Sequence, residues 1–338
     1  MTDTGAYNGP SRPEIYQFSS NRDLTRYDRI LPEWTDNPPF TEHSYRSLAA
    51  DGAASELILF QNIGYTHAEW SFLDRGGNWS ATGQIKWPWG SDYEQPEPIR
   101  ICYPNVMLKD RAVYFCGVSD IIEPNKAWRE YKRELTGNEW DYDFRRLFFT
   151  WSNDITKEGF QPWIEIASRE ATCGWIFPGD LWVDPDGSVH ILWTERAIDE
   201  RLREEFFPEA TQSHALNYAI VSNGKVAVRR TIAIAEEGKS NLIPGQGRFH
   251  VTPDNRLMVI YFIKGTDTEG KQVAENRLVE IYEGGIPGKE LVLQLKQPFS
   301  GFFTATVRAG SKPTYFIDLF GIPDGQQNTM HYARLSVN

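Results

Sequence analysis

One two-strand pattern recurs five times along this chain, and it limits the fold more than any other feature. An apolar-alternating run, a polar turn and a stronger apolar run appear as YRSLAADGAASELILFQ (45–61) and YPNVMLKDRAVYFCG (103–117). The pattern returns as GDLWVDPDGSVHILWTE (179–195), RFHVTPDNRLMVIYFI (248–263) and FTATVRAGSKPTYFIDLFG (303–321). Alternation marks strands with one buried face, and Asp184-Pro185-Asp186-Gly187 and Pro253-Asp254-Asn255 have the chemistry of tight hairpins. Further strand-like segments follow the pairs: RRLFFTWS (145–152), ALNYAIVS (215–222), RLVEIYE (277–283) and MHYARLSV (330–337). Four strands per unit, repeated radially, is the plan of a β-propeller, whereas a β-sandwich rarely repeats one hairpin five times.

The sequence therefore predicts an all-β fold, a single propeller domain over residues 1–338. Its units fall near 44–92, 97–168, 174–236, 243–297 and 299–338. The last lacks a fourth strand, and EIYQFSS (14–20), in the N-terminal segment 1–40, is expected to supply it and close the ring. Six or seven blades stay open as alternatives if the first 40 residues hold a divergent unit. Two segments break the strand rhythm: EPNKAWREYKRELTG (123–137) and ERAIDERLREEFFPEA (195–210) are rich in helix formers at helical spacing. Both fall between the second and third strands of their unit, so both should decorate one face. Loops elaborated on one face of a rigid scaffold carry function, which places the expected site there.

Composition narrows the partners. The 40% hydrophobic and 24% charged content suits a substantial core. A formal charge of −11 excludes a general nucleic-acid binder, which needs a basic footprint. Aromatic residues reach 14%; they favour pleated strands, and their rings also stack on sugar faces. Cys102, Cys116 and Cys173 suit neither a disulfide framework nor a zinc site. The six His show no HxH or HExxH spacing, and neither a Gly-rich phosphate loop nor a GxSxG elbow occurs, so no metal or other cofactor is expected. No apolar run is long enough to span a membrane, and MTDTGAYNGPSRPEIYQ lacks a signal-peptide core. The expectation is no membrane partner and a cytoplasmic location, or a secreted or periplasmic one if a leader has been removed.

Two stretches carry a family resemblance. SFLDRGGNW, with Ser71, Asp74, Gly76, Gly77 and Trp79, and SNDITKEGFQPW, with Ser152, Asp154, Gly159 and Trp163, resemble the Asp-box or BNR repeat of sialidase-like propellers. In that family the box is a structural turn between third and fourth strands, on the face opposite the site. The resemblance implies a bacterial carbohydrate-active propeller: a glycoside hydrolase, a polysaccharide lyase or a sugar-binding protein. The sequence departs from the family in showing neither a sialidase arginine triad with its Tyr/Glu pair nor the Asp, Asp and Glu set of five-bladed furanosidases. A two-carboxylate mechanism is therefore left without support.

Residues that open the inner strands of a propeller face its central pocket. Those positions give His43, Tyr45 and Arg46, then Arg100 and Tyr103, then Trp175 and Asp180, then Arg248 and His250. Loop ends add His67, Glu69, Glu195, Arg196 and His214. Guanidinium groups can neutralise a carboxylate, and His or Tyr can move a proton near neutral pH. The expected activity is cleavage of a glycosidic bond in a glycan or oligosaccharide, with elimination beside a uronic acid as one version. There, Arg248 and other arginines hold the uronate while His250 or Tyr103 removes the C5 proton. In the hydrolytic version Glu69, Glu195 or Asp180 supplies acid and base. A non-catalytic carbohydrate-binding propeller and a protein-interaction scaffold remain the alternatives.

Overall fold

The computed structural model describes residues 12–19, 23–40, 45–138 and 140–337. Five antiparallel sheets follow one another along the chain as blades of one propeller. Blade one comprises Arg46–Asp51, Glu56–Ile63, His67–Leu73 and Trp79–Lys86. Blade two comprises Ile101–Lys109, Ala112–Ser119, Arg146–Ser152 and Ile164–Ser168. Blade three comprises Trp175–Val183, Val189–Arg196, Ser213–Ser222 and Lys225–Glu236. Blade four has Ile243–Val251, Leu257–Thr266 and Gln272–Tyr282, with Ile286–Pro287 and Leu291–Val292 sharing the outer position. Blade five has three strands, Phe299–Thr304, Phe316–Pro323 and His331–Ser336. From blade one to blade five, the first strand of one blade packs against the first strand of the blade that follows it in the chain, so these strands line the axis.

Apolar alternation dictates how the blades pack. Ala49, Ile58, Phe60 and Phe72 of blade one share a core with Ile101, Val106 and Phe115 of blade two. A second core joins blades two, three and four through Phe149, Leu181, Trp193, Tyr218 and Phe249. A third joins blades four and five through Ile260, Phe262, Phe302 and Leu319. Among the described residues, none of these cores joins blade five to blade one.

The join between those two blades is made by backbone instead. Residues 305–315, expected to form a hairpin turn, run along the inner strands and touch blades one, three and four. Ala50 N donates to Arg308 O at 3.1 Å, beside a parallel bridge between Ala50 and Ala309. Gly52 permits this approach, because a Cβ there would lie 2.4 Å from Gly310 O. Thr314 N donates to Val251 O at 3.2 Å. The strand expected to close blade five does something else: Ile15–Phe18 pairs with Tyr27–Ile30 as a separate hairpin. Asp23 favours that turn-back by accepting from the Thr25 N–H and hydroxyl.

Both insertions lie on the upper face, where the inner strands begin, and they touch. The first is α1 (Lys126–Thr136), capped by Asn125, whose side chain accepts from Trp128 N. The second is shorter than the sequence suggested: a 3₁₀ turn at Glu200–Leu202 and one helical turn, α2 (Arg203–Phe206), fill part of 195–210. Trp128 meets Phe207 and Tyr131 meets Phe206 edge-on, with ring centroids 5.4 and 5.5 Å apart. Beneath them a buried charge network anchors the insertion. Arg145 grips Glu123 with both terminal nitrogens at 2.7 and 2.8 Å, and Lys132 reaches the same carboxylate at 2.8 Å. A buried cation paired and hydrogen-bonded in this way holds its geometry tightly.

The turns at Asp74 and Asp154 are held by their own carboxylates. Asp74 accepts from Gly76 N and Asn78 N, and Asp154 from the Thr156 N–H and hydroxyl. Both turns join third and fourth strands, on the lower face. Cys102, Cys116 and Cys173 are free, buried thiols. No helix among the described residues is long and apolar enough to cross a membrane.

Candidate active site

The upper mouth of the channel is ringed by aromatic side chains from blades one, two and three. Tyr103 is the hub. Its ring lies 4.8 Å from Tyr45 and 4.9 Å from Phe177, and Phe177 stacks on Trp175 at 5.4 Å. The Tyr45 hydroxyl donates to the Tyr103 oxygen at 3.4 Å. Burial first, then that hydrogen bond, pushes the Tyr45 phenol above its usual range, so it keeps its proton. Tyr103 is 39% exposed and its backbone sits at φ 49°, left-handed space that a bulky residue adopts only under constraint. The strain comes from a bulge in the ladder between Ile101–Lys109 and its neighbour, which turns the Tyr103 ring out toward the mouth.

Deeper in the channel the chemistry changes from aromatic to ionic. Asp180, 1% exposed, accepts from Leu181 N and from Arg308 Nε at 2.7 Å with one oxygen. Its other oxygen accepts from Phe249 N at 3.0 Å. Arg248 reaches Asp180's neighbour, donating to Gly179 O, and its guanidinium carbon lies 5.5 Å from the centre of the Phe303 ring. Only 8% of Arg248 is exposed, and its buried Nε has no hydrogen-bond partner. Among the described residues no carboxylate forms an ion pair with it, since Asp180 pairs with Arg308. Burial, and more weakly Arg308, lowers the Arg248 pKa, while Asp180 opposes them.

A buried guanidinium that neighbouring carbonyls only partly satisfy is costly unless something negative completes it. The aromatic mouth and Arg248 are linked by one strand. Phe177, under Tyr103, and Gly179, bonded to Arg248, are two residues apart, a spacing on the order of 7 Å. A single sugar ring spans such a distance.

The remaining sequence-predicted residues divide clearly. Tyr45, Tyr103 and Trp175 meet at the mouth, and Arg46 stands exposed at its rim with Nε donating to Gln61 at 2.7 Å. Arg248 and His250 lie near the end of Ile243–Val251, not at its start, because the Gly/Pro stretch before them joins the ladder through a bulge. They do share one side of the strand, towards blade five. His250 is below Arg248, with Nε2 bonded to Thr314 O at 2.8 Å. A carbonyl can only accept, so that nitrogen carries the proton; burial lowers the His250 pKa and keeps the ring neutral.

Arg100 is buried, 2.7 Å from Asp120 and beneath Tyr65, whose ring centre is 4.0 Å away. It supports the mouth from behind. Glu195 forms an inter-blade ion pair with Arg169 and accepts from Trp193 at 3.0 Å, so it is neither free nor a helix-terminal charge. Arg196 and His214 pair across adjacent strands of blade three, and burial, then Arg196, lowers the His214 pKa. His67 and Glu69, 3.3 Å apart, lie on the third strand of blade one, off the axis; Glu69 accepts from Gln84. His43 lies outside the described residues.

Phe177, Phe303 and Arg308 were missed. Arg308 stands inside one of the recurring pairs, VRAGSKP, where it reads as a hairpin turn. Only the break in alternation at Gly310-Ser311-Lys312-Pro313 hints at a longer excursion.

No protein-family model matches the chain, and no curated protein does. Among solved structures, it is similar to an endo-arabinase from Bacteroides thetaiotaomicron, at 11% identity over 87% of this chain and 93% of that one, with a TM-score of 0.40. An α-L-arabinanase of Penicillium chrysogenum, complexed with arabinobiose, gives 10% identity, 86% and 77% coverage, and a TM-score of 0.48. The polysaccharide lyase Uly1 gives 11%, 87% and 68%, and 0.43.

Proposed function

We propose that this propeller is a glycan-cleaving enzyme whose channel takes a uronic acid residue, and that its chemistry is β-elimination. The supporting observation is Arg248: a buried guanidinium without its own carboxylate, beneath an aromatic mouth. Rings at the mouth stack on sugar faces, and Arg248 supplies the partner for a uronate carboxylate.

Neutralising that carboxylate acidifies the C5 proton. Tyr103 stands nearest the mouth as the base, with its oxygen accepting from the Tyr45 hydroxyl. The C5–H electron pair becomes the C4=C5 bond, the C4–O4 bond breaks, and Tyr45, which keeps its proton, donates it to the departing oxygen. His250, deeper than Arg248 and tied to Thr314, positions the floor. Asp180 has both oxygens committed, so it is poorly placed to serve hydrolysis, which needs two free carboxyl groups flanking one bond.

The test is incubation with a panel of uronate-containing and neutral polysaccharides, following ultraviolet absorbance of the new double bond together with reducing ends. Both signals should rise with an acidic polymer. Reducing ends without the absorbance would replace elimination with hydrolysis. Neither signal on any polymer would remove the enzymatic reading and leave a binding propeller.

A further inference from the structure

On the lower half of the molecule, between blades two and three, lies a cleft of about 430 Å³ with chemistry unlike the channel's. Trp151 forms its wall, stacked on Phe149 at 5.8 Å with the rings 13° from parallel. The ring is wedged from another side by the Asn223-Gly224 turn, since a Cβ on Gly224 would lie 2.8 Å from its edge. An aromatic plate fixed from two directions loses little entropy when a ligand stacks on it. Around it the cleft presents Asn153, Gln161, Asn223 and Asp186. Gln161 is held alongside Trp151, its backbone N donating to Trp151 O at 2.7 Å.

Among the described residues no lysine or arginine lines this cleft. Its one carboxylate, Asp186, is ionised at neutral pH, because the Ser188 backbone N–H donates to it and lowers its pKa. An acidic sugar would meet repulsion here. A neutral sugar fits: its apolar face matches the indole, and its hydroxyls can donate to Asp186 and exchange hydrogen bonds with the side-chain amides. A lone carboxylate offers no pair of groups for bond cleavage. We infer that this cleft is a second, non-catalytic saccharide site, selective for neutral residues of a glycan chain and separate from the channel. It goes beyond the proposed activity, and its chemistry stands without it.

The experiment is affinity electrophoresis in native gels cast with neutral arabinan, galactan or xylan, and in parallel with polygalacturonate. Wild-type protein should be retarded in at least one neutral gel. Trp151→Ala and Gln161→Ala should weaken that retardation at least tenfold in apparent Kd, while leaving behaviour in polygalacturonate unchanged. Gln161→Ala removes only a half-buried side-chain amide, so it tests the site even if Trp151→Ala lowers the melting temperature. Arg248→Ala should leave neutral-gel retardation intact whatever it does in the acidic gel, which separates failure of the channel reading from failure of this one. The inference is overturned if wild type is retarded in none of the neutral gels, or if both cleft variants migrate as wild type does.

Discussion

The two ends of the channel are built from opposite materials. At the lower end, residues 305–315 run along the inner strands and are held by backbone hydrogen bonds, the Asp180–Arg308 ion pair and the His250–Thr314 contact. At the upper end, Tyr45, Tyr103, Trp175 and Phe177 touch through ring faces, and one long hydrogen bond links two of them. Polar satisfaction below closes the ring where, among the described residues, no apolar core joins blades five and one. Exposed rings above leave a surface that water covers and a ligand can displace. The closed end should therefore govern stability and the open end binding, with Arg248 at the boundary between them.

The largest effect expected from breaking the lower end follows Asp180→Ala. It strands the Arg308 cation and leaves Phe249 N without its acceptor. Removing one partner of a buried pair costs about 3–5 kcal/mol. Urea unfolding should show that loss, and a change below about 1 kcal/mol would mean the ion pair does not close the ring.

Acid should act next. His190, buried against Tyr218, has its pKa lowered by burial from 6.5 to about 4. The unfolded chain binds that proton first, so stability is full above pH 6.5 and falls as pH drops toward about 4, by at most about 3 kcal/mol. His250 is shifted the same way and adds to the loss. Melting temperatures across that window should fall for wild type and fall less for His190→Gln; parallel curves would contradict the assignment.

Smaller again are the turns on the lower face. Asp74→Ala and Asp154→Ala each remove the acceptor of turn amides and should lower the melting temperature less than Asp180→Ala does, with affinity for an acidic oligomer in the channel unchanged. Lost affinity for that acidic oligomer at an unchanged melting temperature would move the channel site to the lower face. The smallest effect on stability belongs to the mouth. Tyr103→Gly relieves left-handed backbone strain, offsetting part of the lost ring contacts, so stability should change by no more than about 1 kcal/mol while binding at the mouth collapses.

Much of the fold was legible because alternation and turn chemistry are local. The recurring pairs, the shared face of both insertions and the turns held by Asp74 and Asp154 all follow from residues close in sequence. What was not legible depends on distant packing. The inner strand of blade four begins at Ile243, because Pro244–Gly247 enters the ladder through a bulge that its Gly/Pro composition argued against. Arg100 read as a pocket-facing residue, whereas it is buried against Asp120, which follows the adjoining strand. Glu195 finds Arg169 on another blade. The ionic floor needed Arg308 from a segment that looked like a turn.

The most direct measurement is calorimetric binding of a short oligogalacturonide to wild type, Arg248→Ala and Arg308→Ala, beside its neutral, carboxyl-reduced counterpart. Losing a charge-assisted pair in a buried site costs about 3 kcal/mol, roughly a hundredfold in Kd. Arg248→Ala should lose at least that for the acidic oligomer and change affinity for the neutral one by less than threefold, with the fold retained by melting temperature. Equal affinities of folded Arg248→Ala and wild type for the acidic oligomer would contradict the claim that this buried guanidinium waits for a carboxylate.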